Sequence, residues 1–179
     1  MTSETPTLDN LNAWATWLAG LEPLDPQLYS PQECEVFLSN WVGACLDAQR
    51  VLASLGSVAD RFVEVAQYSL AEAVWREDVT LELAELAVQQ SPKMLSALCD
   101  TGGRTTTTLS FWMVLVRQWR AVYRSSSGHR LLPAVKSALL EQIRTSGKSP
   151  CLRDSAWEGV KMIDEQVAAD ARAIDEAQM

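Results

Sequence analysis

Residues Leu109–Arg124 read LSFWMVLVRQWRAVYR. Phe111–Val116 is six consecutive apolar residues, and Arg117, Arg120 and Arg124 follow it. An apolar run with no polar face suits a helix surrounded by protein. The run stops at Arg117, far short of the roughly 20 residues a membrane span needs. The stretch therefore predicts the central helix of a soluble bundle, buried at its start and emerging at its end, with no transmembrane segment.

Helical signals surround it on both sides. Upstream, Asp9 can cap a helix over about Asn10–Ala19, with Gly20 ending it. Ser30-Pro31-Gln32-Glu33 has a capping serine, a proline at the first helical position and a glutamate that completes a capping box. The helix it opens is expected to run to about Leu55, burying Phe37, Trp41, Cys45, Val51, Leu52 and Leu55. A third helix should extend from Ser57 to about Arg76. Asp78 is placed to cap a fourth, Val79–Gln90, and Ser91-Pro92 to start a short fifth that carries Met94, Leu95 and Leu98.

Downstream, Ser125–Gly128 reads as a break, followed by a helix over about Leu131–Arg144 with Pro133 in its first turn. Gly147 and Pro150 mark the next loop. The last helix is expected over about Asp154–Ala177. Val160, Val167 and Ile174 recur there every seven residues, opposite an acidic face. That stripe suits packing on the bundle and also offers a surface for a homodimer. No strand pattern and no internal repeat appear. The fold class is all-α, a single irregular helical bundle of six or seven helices over residues 9–179, after a disordered tail at 1–8.

Seven tryptophans are the chain's largest apolar groups. Each buried ring removes roughly 150–250 Å² from water. At about 25 cal/mol per Å², that is an upper bound of about 4–6 kcal/mol each. Trp41, Trp112 and Trp119 are assigned to the core. Trp14 and Trp17 lie three apart on a terminal helix, which has less to pack against, so they are candidates for a binding face.

Net charge is −8, unevenly distributed. Residues 1–100 hold four basic and fifteen acidic residues, residues 101–150 eight and one, and residues 151–179 three and seven. A basic middle is thus flanked by acidic ends. Arg104, Arg117, Arg120, Arg124 and Arg130 lie in that middle. The Gly/Ser/Thr-rich segments Gly102–Thr108, Ser125–Arg130 and Thr145–Ser149 read as loops that precede helices, whose free N–H groups attract anions. The acids of the same chain can equally neutralise these bases.

Catalytic signals are weak. His129 is the only histidine, so histidine-rich zinc sites and paired-histidine di-iron sites are excluded. It falls in the serine-rich segment expected to be a solvated loop, unlike a base held for nucleophilic catalysis. Cys34, Cys45, Cys99 and Cys151 have no metal or redox spacing. Cys45 reads as a small core residue, and Cys151 as the most exposed thiol. Gly147-Lys148-Ser149 lacks the earlier glycine of a phosphate-binding loop, since Gln142 stands there. No catalytic residue, cofactor or metal is expected. Met1–Asn10 has no basic leader, so a cytoplasmic location is expected.

The first functional reading is a non-enzymatic helical interaction protein of adaptor or inhibitor type. It would bind a protein partner through a Trp-bearing acidic face or through the Arg117, Arg120 and Arg124 stripe. The second is anion or nucleic-acid binding through residues 101–150, although a chain of pI about 4.7 repels polyanions at long range. The third is an amphipathic coat protein of a granule or lipid surface.

Overall fold

A computed structural model describes residues 30–55, 59, 66, 69–70, 73–74, 76, 78–100, 126–145 and 150–177. For 98–100, 126–130, 150–152, 155, 171 and 174 the description is of the backbone alone. The expected helix Asn10–Ala19, the tail at 1–8 and the stretch Leu109–Arg124 lie outside the described residues.

Every described element is helical, with no strand among them. Five helices are described: α1 (Pro31–Leu46), α2 (Ala48–Leu55), α3 (Leu81–Asp100), α4 (Ser126–Thr145) and α5 (Pro150–Ala177). Ala59, Ala66, Ser69, Leu70, Ala73 and Val74, within the expected third helix, are also helical. Among the described elements α3 is the hub, packing against α1, α2 and α4, while α4 packs in turn on α5.

α1 begins where its sequence requires. The Ser30 hydroxyl accepts from the Glu33 N–H at 3.3 Å, and the Glu33 carboxylate accepts from the Ser30 N–H at 2.7 Å. Two otherwise orphaned donors are thereby satisfied. Phe37, Trp41 and Cys45 recur at i, i+4 and i+8 and are buried, as are Val51, Leu52 and Leu55 of α2.

The expected continuous helix to Leu55 is broken at Asp47, whose backbone (φ −119°, ψ 39°) leaves helical geometry. The amide of Asp47 still reaches Gly43 O and its carbonyl still accepts from Val51, at 3.1 and 3.0 Å. Axial continuity survives, but the chain bends. Its freed carbonyl, Leu46 O, accepts from Lys93 Nζ of α3 at 2.5 Å.

α3 corrects two expectations. Ser91-Pro92 does not start a new helix; it lies inside one unbroken helix, Leu81–Asp100. Proline there removes an N–H and crowds the preceding turn. Ser91 is buried, and its hydroxyl donates back to Ala87 O at 2.8 Å while accepting from Trp41 Nε1 at 3.3 Å. Tertiary packing of Val88, Met94 and Leu95 offsets the local cost. Nor does Asp78 cap the helix. Its carboxylate is held by Arg76 through two bonds of 2.9 and 2.7 Å, and the first turn instead closes on Thr80 O, which accepts from Ala84 N at 3.1 Å.

α4 includes Ser126–Gly128, so these residues are helical rather than a break, and Pro133 lies well inside the helix. The glycine costs about 1 kcal/mol relative to alanine. Burial of Leu131, Leu132 and Val135 just beyond outweighs it. α5 includes Pro150–Arg153, which precede the expected start at Asp154. Cys151 consequently lies in a helix and not in a loop. In the heptad stripe, Val160 and Ile163 are buried, whereas Val167 is 44% exposed.

Candidate functional site

The expected binding residues are almost all undescribed. Trp14, Trp17, Arg104, Arg117, Arg120 and Arg124 lie outside the described residues. Arg130 belongs to α4, so its backbone is helical and not part of a loop, and the same holds for His129. The described bases of the positive middle are already engaged. Lys136 pairs with Asp164 of α5 at 2.5 Å, and Arg144 pairs with Glu141 at 2.5 and 2.8 Å. The arginine holds the Glu141 carboxyl below its usual range.

Two surface features emerge that the sequence did not single out. The first is the outer edge between α4 and α5. α4 and α5 pack against each other. The Lys136–Asp164 pair fixes which stripes meet. Leu140 follows Lys136 by one turn and Trp157 precedes Asp164 by two, so both lie on the edge that the pair defines. Leu140 is 42% and Trp157 52% exposed. Arg153 and Lys161, one turn either side of Trp157, are paired with Asp154 and Glu165 at 3.6 and 3.8 Å. Glu158 has no ion-pair partner among the described residues. α5 as a whole carries seven acidic and three basic residues.

The second is a groove of about 630 Å³ on the α3 side of α4. It opens where the bend at Asp47 and the proline at position 92 stand side by side, and the last turn of α4 closes it. Leu46, 54% exposed, forms an apolar lip. Gln49, Gln89, Gln90 and Lys93 line it, and Thr145 and Glu141 face them. Lys93 would have been the residue to notice in the sequence, as the sole basic residue of α3, set directly after its proline.

The groove lining includes no cysteine. Cys34 and Cys45 are buried free thiols. Burial pushes Cys34 up to about 11 despite the opposing Arg76 beside it, and burial pushes Cys45 further in the same direction. An arginine cannot take the thiol proton. Among the described residues no three His, Cys, Asp or Glu side chains are grouped to hold a metal ion. No described helix is long and apolar enough to cross a membrane. No family model, curated protein or solved structure matches the chain.

Proposed function

We propose that this protein is a non-enzymatic helical interaction protein whose α4–α5 edge binds a protein partner. The observation that carries this reading is Trp157, half exposed on a regular helix, with Leu140 of the neighbouring helix also exposed. A tryptophan left in water forgoes several kcal/mol of burial, and tryptophan is the residue most enriched at binding hot spots. The excess of acidic residues on α5 defines the partner's chemistry as a basic, amphipathic segment, with its apolar side on Trp157 and its cations among the carboxylates. A second copy of the chain would bring the same negative helix and be repelled, which makes a different protein the better match. The Arg117, Arg120 and Arg124 stripe remains a second contact surface in this proposal, on the strength of charge layout alone.

The test is affinity purification with mass spectrometry from cell lysate, comparing the native chain with Trp157→Ser. A basic protein captured by the native chain, lost from the variant and released by moderate salt supports the proposal. Recovery of identical proteins by both chains overturns it, provided their circular-dichroism spectra match.

A further inference from the structure

We draw no further inference here: the strongest candidate, the face of α5 beyond Ile163, where Val167 is exposed and no described side chain is buried, carries nothing because nothing in the structure shows what covers it.

Discussion

The contact between α1 and α3 and the contact between α4 and α5 differ in how they hold their aromatic and buried polar groups. In the first, Trp41 and Phe37 are fully buried, although Val36, Leu46 and Leu86 on the same helices are partly exposed, and the Trp41 indole N–H donates to the buried Ser91 hydroxyl. In the second, Trp157, Leu140 and Val167 stand in solvent. The core side of α4 also carries Gln142, fully buried with neither amide atom hydrogen-bonded. Locally consistent regions specify the fold, and places that break local rules are where a protein gives up stability for another purpose. On the proposed function, α1–α3 is the framework and α4–α5 the working side, marked by half-exposed Trp157 and unpaired Gln142.

The framework should fail first under truncation. Trp41→Ala removes the largest fully buried side chain together with the N–H from which the Ser91 hydroxyl accepts; chemical denaturation should show a loss of about 3–5 kcal/mol. A loss below about 1 kcal/mol would erase the distinction between the two regions.

Alkali should act on the same framework. An unfolded Cys34 thiol loses its proton near pH 9.0, whereas the folded one keeps it until about 11. The folded chain then binds more protons than the unfolded one, so stability falls as pH rises through that window and is unaffected below it. Cys45 shifts in the same direction. Denaturation midpoints measured from pH 8 upwards should decline, and Cys34→Ser should decline less steeply.

On the working side the signs reverse. Gln142→Leu replaces two unsatisfied polar atoms with apolar ones and should stabilise the chain by about 1–3 kcal/mol. A smaller loss than at Trp41 is expected at Trp157→Ser, no more than about 2 kcal/mol, because half of the ring is already hydrated. A large destabilisation there would mark Trp157 as a packing residue and remove the basis of the proposed partner surface.

Sequence patterning revealed the framework better than the working side. The Ser30–Glu33 box and the Phe37, Trp41, Cys45 face are local signals that a helical period exposes, and they position α1 correctly. The breaks were misplaced because their causes are tertiary. Ser91-Pro92 has the composition of a helix start, and only the burial of Ser91 against Trp41 keeps it internal. Asp47 carries no breaker signature; its bend is completed by a lysine from a different helix. The groove follows from those two bends meeting, so no single segment encodes it. Trp157 was visible as a residue, but its exposure depends on how α5 lies against α4.

The neighbouring irregularities at Asp47 and Pro92 also fix how α1 can lie along α3. Sliding one helix past the other by a single turn, about 5.4 Å, would set a bend against a straight cylinder and strand the Lys93 ammonium beyond reach of its carbonyl. The pair thus works as a notch and tooth, admitting only one axial alignment. An inserted residue between Trp41 and Asp47 would turn the tooth by about 100° and leave the notch empty.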